Sequence, residues 1–499
     1  MLERELAVAA AELSERLGTS FYNTSLTKRE GAALWLERVS GSGDKRLGLL
    51  ARADHLWLEQ FEGEHEPFDP DHTLKHCALS PKNAAALRRA LPHLTPAPLG
   101  LATSVGFGDR LGVATPGHVL ATQRHGASLT PIFAQQSIRE MTRTQRTPQE
   151  VMDDATWGAF EAGWRGAVGA DADHQKTTRD LDTCAEAGFT LFTVDPGEFV
   201  DDAAHDAPAS DLEARVAALP WSELETTRGD FERYVGNSFD LGSGKLVLER
   251  EAVLRAAAKY GRAVQHVAKM YRHLGAKGTP FELEVSVDET ETPTSHAEHA
   301  VVALELKRLG VVWVSLAPRF VGRFEKGVDY RGDLTALQDD LAGHAALART
   351  LGPYKLSLHS GSDKFSVYPL IAEATGGMVH LKTAGTSYLE ALRVVARENP
   401  DLFREVLALG RERFADDRAS YHISAELARV PEVDRLHDDA LPQLLKQDDA
   451  RQVLHVTFGS ALDRFREPLL EVLMTHETAH YEGLSQHFEG HLQPFAARV

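Results

Sequence analysis

From about Ser104 onward, short apolar runs alternate with longer stretches whose apolar residues recur at helical spacing, the pattern of a parallel sheet wrapped by helices. The runs lie near Thr103–Arg110, Pro131–Gln136, Gly169–His174, Thr190–Asp195, Phe281–Asp288, Val311–Ala317, Tyr354–His359 and Met378–Lys382. Within a run the two faces differ. In Lys355–His359 the leucines fall on one face and Lys355, Ser357 and His359 on the other, and Glu282 and Glu284 alternate with Leu283 and Val285. Between the runs, Val253–Leu274, Glu298–Leu309 and Leu334–Leu351 predict helices. Eight such strands close a barrel, so the pattern predicts an α/β chain built on a TIM-type (β/α)8 barrel.

The barrel is expected over residues 99–395, with a helical insertion at about 200–275, because Asp195 to Phe281 exceeds what one crossover needs. Residues 1–98 read as an α+β appendage. In it the pattern predicts a helix over Glu3–Leu17, strands at Ala33–Arg38, Leu47–Ala51 and Leu56–Phe61, and an exit through Leu94–Pro98. Residues 396–499 read as a mostly helical region packed on the barrel, with one further apolar run, Val453–Phe458.

Composition narrows the function classes. The net charge of -19, from 73 acidic and 54 basic residues, opposes a nucleic-acid or anionic-membrane partner, because phosphate would be repelled. A local cluster of Lys and Arg still suffices for an anionic small molecule. Two cysteines, Cys77 and Cys184, cannot build a disulfide framework, and neither a signal peptide nor a membrane-spanning run is seen, so a cytoplasmic enzyme is expected.

Catalytic groups of such barrels sit at the C-terminal ends of the strands, and here those ends are densely polar. They carry Asp109 and Arg110; Gln135, Gln136 and Arg139; Asp171, Asp173, His174 and Lys176; Asp195 and Glu198; Glu284, Asp288 and Glu289; Arg319; and the His and Lys groups of Tyr354–Tyr388. Imidazole and carboxylate together suit a divalent metal, manganese, zinc, nickel or iron, in a site that keeps an open position. His174 and His359 are the leading ligands and His380 the third, with Glu284 or Asp173 as an oxygen alternative. A carboxylate inside the barrel is costly without a partner, so Glu284 either lines a polar site or pairs with Lys355 or Lys382. Ser295–Glu298 fits a capping box, which makes His296 and His299 helix-start residues. Gly106–Arg110 lacks the dinucleotide fingerprint, and neither a P-loop nor a nucleophile elbow is present.

The strings FGDRLGVATPGH, PIFAQQSIREM, GADADHQKT, SLAPRFVGRFEKGVDY, KLSLHSGSDKFSVYP and HLKTAGTSYLEALR resemble the tagaturonate/fructuronate epimerase family over most of residues 100 to 470. The resemblance implies a metal-dependent hexuronate epimerase. It also implies an acid/base pair formed by an acidic residue beside a histidine on strand three and a glutamate on strand five, here Asp173 and Glu284. The two uronates differ at the hydroxyl-bearing carbon β to the ketone, which enolisation cannot invert. A retro-aldol cleavage, rotation of the aldehyde and re-addition can. Lys176, Arg319, Lys364 and Lys382, with Asp109 and Gln136, are then expected to hold the substrate. The rival expectations are a metal-dependent sugar isomerase or ketose 3-epimerase working through an enediol, and a non-catalytic sugar-acid-binding barrel. Oligomeric state is not legible.

Overall fold

Eight strands close the barrel: β1 (Ser104–Gly108), β2 (Thr130–Ser137), β3 (Gly169–Gln175), β4 (Leu191–Val194), β5 (Glu282–Val287), β6 (Ser315–Pro318), β7 (Lys355–Leu358) and β8 (Val379–Thr383). Neighbours pair in parallel, and β8 pairs back onto β1. This is the expected fold, an α/β chain on a closed eight-strand parallel barrel. The computed structural model describes residues 14–496, except 16, 18, 19, 40–42, 434 and 435. The helix expected over Glu3–Leu17 lies largely outside the described residues.

The outward face of each strand is apolar and buried under helices, as with Leu283, Val285 and Val287 of β5, Leu356 and Leu358 of β7, and Val379 and Leu381 of β8. The inward face is not the usual branched aliphatic filling. Ser104, Asp171, Thr193, Glu282, Glu284, Lys355, Ser357, His380 and Lys382 are all buried there and must satisfy one another. At the lower end, Glu282 accepts the Leu99 and Gly100 amides, and Lys355 donates to Ser104 Oγ at 3.0 Å.

Three expectations shift. The sixth strand begins only at Ser315, because Val311–Trp313 approaches the sheet without joining it and Val312 is 66% exposed. Leu56–Phe61 contains the helix Trp57–Gln60 and no strand: Trp57 and Phe61, four apart, are both buried while Leu56 is 61% exposed, so the helical period outweighs alternation. The helix Arg250–Gly275 is the crossover between β4 and β5 and packs on the next outer helix, His296–Arg308, which leaves residues 195–249 as inserted structure.

The N-terminal sheet is antiparallel, with Ala32–Arg38, Lys45–Arg52 and His72–Cys77 at its centre. The C-terminal helices build a second core around Leu389, Phe403, Leu445 and Leu462. The helix Glu477–Ala496 crosses back onto the barrel helix Thr115–His125, where Leu484 sits so close to Gly117 that a Cβ there would lie 2.6 Å from it. No helix among the described residues is long and apolar enough to cross a membrane, and both cysteines are buried and free.

Candidate active site

A regular strand would send Asp173 and His174 to opposite faces of β3. Here the β3–β4 register shifts, Val194 pairs with Gln175, and His174 adopts a left-handed backbone with φ 50°. That conformation is costly for a non-glycine residue, and it brings the imidazole beside its own neighbour, with Nδ1 2.8 Å from Asp173 Oδ1. His359 follows the last residue of β7 and precedes Ser360, itself at φ 49°. The two imidazole rings meet with centroids 5.0 Å apart.

Below them Lys382 of β8 gathers the carboxylates. Its Nζ lies 2.7 Å from Asp173, 2.8 Å from Glu284 and 2.9 Å from Asp171, and donates to Thr193 Oγ1 at 2.5 Å. Glu284 Oε1 is also 2.6 Å from His359 Nε2, while His359 Nδ1 is 3.0 Å from Asp288. Burial favours the neutral form of each acid and the neutral form of each base, and the pairing overrides it. Against burial, His174 and Lys382 hold Asp173, and Lys382 and His359 hold Glu284, well below the usual carboxylate range. Burial would lower Lys382, but Asp171, Asp173 and Glu284 raise it well above its ordinary value. Against burial, Asp173 and Glu289 raise His174 to about 10, and Asp288 raises His359 to about 9.

Above this layer opens a cavity of about 450 Å³. His359, Asp288 and Glu289 form its floor, Arg139, Arg319, Arg323 and Lys326 give it four cations, and Tyr421–Ser424 from the C-terminal region covers one side. The Nε atoms of Arg139 and Arg319 are buried and make no hydrogen bond among the described residues, so each retains a donor.

The expected residues separate into groups. Asp173, His174, Glu284, His359 and Lys382 come together, and Arg319 lines the cavity above them. Lys382, expected among the substrate anchors, contacts the three carboxylates and is 2% exposed, so its ammonium is paired with buried acids and does not line the cavity. Asp109 accepts the Leu111, Gly112 and Ala114 amides and thereby shapes the loop after β1. Lys364 is fully buried and donates to the carbonyls of Glu325, Val328 and Ser362, fixing the cavity loop from beneath. Lys176, 42% exposed, lies 3.5 Å from Asp195 and from Glu198. Gln136 is buried, with both amide atoms unbonded among the described residues. His380 sits two residues deeper on β8, against Ser104 Oγ at 2.9 Å and Asp171 at 3.5 Å, and is not brought to the other two imidazoles. Thr193, a lone hydroxyl in an apolar strand, carried no sequence signal, and the Tyr421–Ser424 cover, which lies far from the barrel in sequence, offered only His422 as a weak candidate.

A divalent cation fits the donor set. Asp173, His174 and His359 place ligand atoms within 4.8 Å of one another, as do His174, Asp195 and Glu289. His174 Nε2 makes no hydrogen bond among the described residues, and Glu289 Oε1 lies 3.5 Å from it. Carboxylates on the opposite nitrogens, Asp173 on His174 and Glu284 on His359, are the partners that orient metal-binding imidazoles.

A family model described as UxaE, tagaturonate epimerase, matches residues 22–495. A tagaturonate/fructuronate epimerase of Thermotoga maritima is 45% identical over 418 residues, 83% of this chain and 85% of its own. The native crystal structure of fructuronate-tagaturonate epimerase UxaE from Cohnella laeviribosi superposes with a TM-score of 0.89 at 35% identity, covering 98% of this chain and 99% of that one. A structure of the same Cohnella enzyme with two glycerols gives 0.90 at 34% identity, again covering 98% and 99%.

Proposed function

Since the chain belongs to the tagaturonate/fructuronate epimerase UxaE family and is an epimerase, an isomerase, we propose that it interconverts D-tagaturonate and D-fructuronate by metal-dependent retro-aldol cleavage and re-addition. The observation that carries this reading is the layering of the site: a cation-rimmed cavity above a floor of imidazole and carboxylate donors, above an acid/base layer joined by Lys382.

His174 and His359 supply the imidazole ligands, and Glu289, on the cavity side of His174 Nε2, completes the set. When bound there, a divalent cation provides Lewis-acid polarisation of the ketone oxygen. Asp173, held ionised, takes the proton of the β-hydroxyl. The bond between that carbon and the α-carbon breaks, its electron pair passes into the enediolate, and an aldehyde is left. Arg139, Arg319 and Lys326 hold the charged portion of the substrate while the aldehyde turns. Re-addition to its other face forms an alkoxide pointing away from Asp173 and toward Glu284. Lys382, which contacts both carboxylates, relays the proton from Asp173 to Glu284, and Glu284 delivers it to this oxygen, so that both carboxylates end the cycle ionised.

Two results are expected. Protein stripped of metal should leave tagaturonate and fructuronate unchanged, and restoring manganese, zinc, nickel or iron singly should return turnover with at least one. Absence of interconversion under every metal would overturn the reading. Arg319→Met should raise KM by roughly 10-fold to 100-fold with kcat little altered, because a charge-assisted hydrogen bond to the substrate contributes about 1.5–3 kcal/mol. An unchanged KM would remove Arg319 from the anchor set.

A further inference from the structure

On the outer layer of the barrel, between the helices His296–Arg308 and Leu334–Leu351 that follow β5 and β6, a second histidine and carboxylate cluster stands apart from the interior. Asp340 and His344 are one helical turn apart on a single helix, and His296 reaches them from its neighbour. Asp340 Oδ1 lies 3.4 Å from His344 Nε2 and 3.5 Å from His296 Nε2, and the three donor atoms all fall within 4.8 Å. Two ligands each about 2.1 Å from a tetrahedral zinc ion are about 3.4 Å apart, so both carboxylate-to-imidazole spacings match the edge of such a site.

Of the two nitrogens aimed into the cluster, His296 Nε2 lies 3.1 Å from the Asp340 carbonyl oxygen, a contact it would exchange for the cation, and His344 Nε2 has no other use. His344 is fully buried, and its Nε2 makes no hydrogen bond among the described residues. Its other nitrogen is already held: Nδ1 is 2.8 Å from His299 Nδ1, whose Nε2 is 2.7 Å from Tyr354 OH. When His344 Nδ1 carries the proton and donates it to His299, a lone pair on Nε2 faces the Asp340 carboxylate. That contact is repulsive without a cation between the two atoms, and a hydrogen-bonded second nitrogen is what fixes a metal-binding imidazole in this tautomer. Backbone space is also provided for the third donor, since a Cβ on Gly343 would lie 2.3 Å from the His296 ring.

We propose that His296, Asp340 and His344 form a second divalent-cation site, of zinc type, outside the barrel wall. His296 is a quarter exposed, which leaves the fourth position to water. Among the described residues no Lys or Arg pairs with Asp340. In this it differs from the buried cluster of Asp363, His487 and His491, where Arg451 lies 2.7 Å from Asp363 and already supplies the positive charge. The site also reaches the cavity: the second Asp340 oxygen accepts the Val321 amide at 3.1 Å, and Phe320 packs on His344 with ring centroids 5.5 Å apart. Cation binding there would pin the loop that follows β6 and carries Arg319, Arg323 and Lys326.

Zinc counting on the full chain tests this. After loading with zinc and desalting, the wild type should retain two equivalents per chain by mass spectrometry, the His174→Ala/His359→Ala variant one, and that variant with His296→Gln added none. Zinc should raise the melting temperature of the double variant, and His296→Gln should abolish that rise. His296 is chosen because it is partly exposed and its replacement leaves the Ser295 to Glu298 capping box intact. A double variant that retains no zinc, or one whose zinc and melting temperature are indifferent to His296→Gln, would overturn the proposal. One equivalent in the wild type, kept in the double variant and lost with His296→Gln, would uphold this site while defeating the metal reading of the catalytic one.

Discussion

Replacing Lys382 with methionine is expected to abolish epimerisation and to lower stability by about 3–5 kcal/mol, the cost of stranding buried charge whose partner has been removed. The side chain lengths are comparable, so the loss is electrostatic and leaves little cavity. Three carboxylates, Asp171, Asp173 and Glu284, meet one ammonium within 2.9 Å, and all are shielded from water by the barrel wall. Without it they repel one another, and at least one takes up a proton to remain buried. Denaturant unfolding with an unchanged m-value and a lower midpoint would show the expected effect. A variant of wild-type stability would mean that the carboxylates satisfy one another by another route and that Lys382 is not their organising cation.

Glu284→Gln is expected to lower kcat by roughly 10²- to 10⁴-fold, the range for loss of a positioned acid or base, with metal content and KM near wild type. The amide keeps the shape and can still meet His359 and Lys382, but it cannot carry the proton from one face of the substrate to the other. Asp173→Asn should match it in kcat. Its metal content separates two roles: metal retained makes Asp173 the base, whereas metal lost together with turnover makes it a ligand, as its position within 4.8 Å of both imidazoles would allow. Near-normal turnover in either variant would remove that residue from the acid/base pair.

The barrel was legible because each strand buries one apolar face under helices, so alternation survives in the sequence even where the inner face is charged. Glu284 and Lys382 were visible as charges on that inner face. A Glu284 pair with Lys355 or Lys382 was among the expectations, and the structure makes it with Lys382; that the same ammonium also meets Asp171 and Asp173 was not legible, since pairing across the barrel depends on the register of strands far apart in sequence. His174 shows a different limit. Alternation puts it on the wrong face, and only its left-handed backbone at the β3 bulge turns it toward Asp173. Lys364 and Asp109 read as anchors because charge at a strand end resembles substrate chemistry. Lys364 instead bonds the backbone of the cavity loop and Asp109 that of the loop after β1, and a sequence does not distinguish a lysine that holds a carbonyl from one that holds a carboxylate. The same ambiguity applies to His296 and His299: the capping box is real, yet His296 also faces Asp340 across a helix interface.

The proposed mechanism inverts the carbon β to the ketone by breaking and remaking a carbon–carbon bond at this site. Epimerisation of tagaturonate in deuterated water, followed by isotopic analysis of the recovered uronates, tests it most directly. Retro-aldol chemistry keeps the hydrogen on both the α- and the β-carbon, so product and recovered substrate should carry no carbon-bound deuterium. Deuterium at the α-carbon, entering at the rate of turnover, would exclude the retro-aldol route and assign these residues to enediol chemistry.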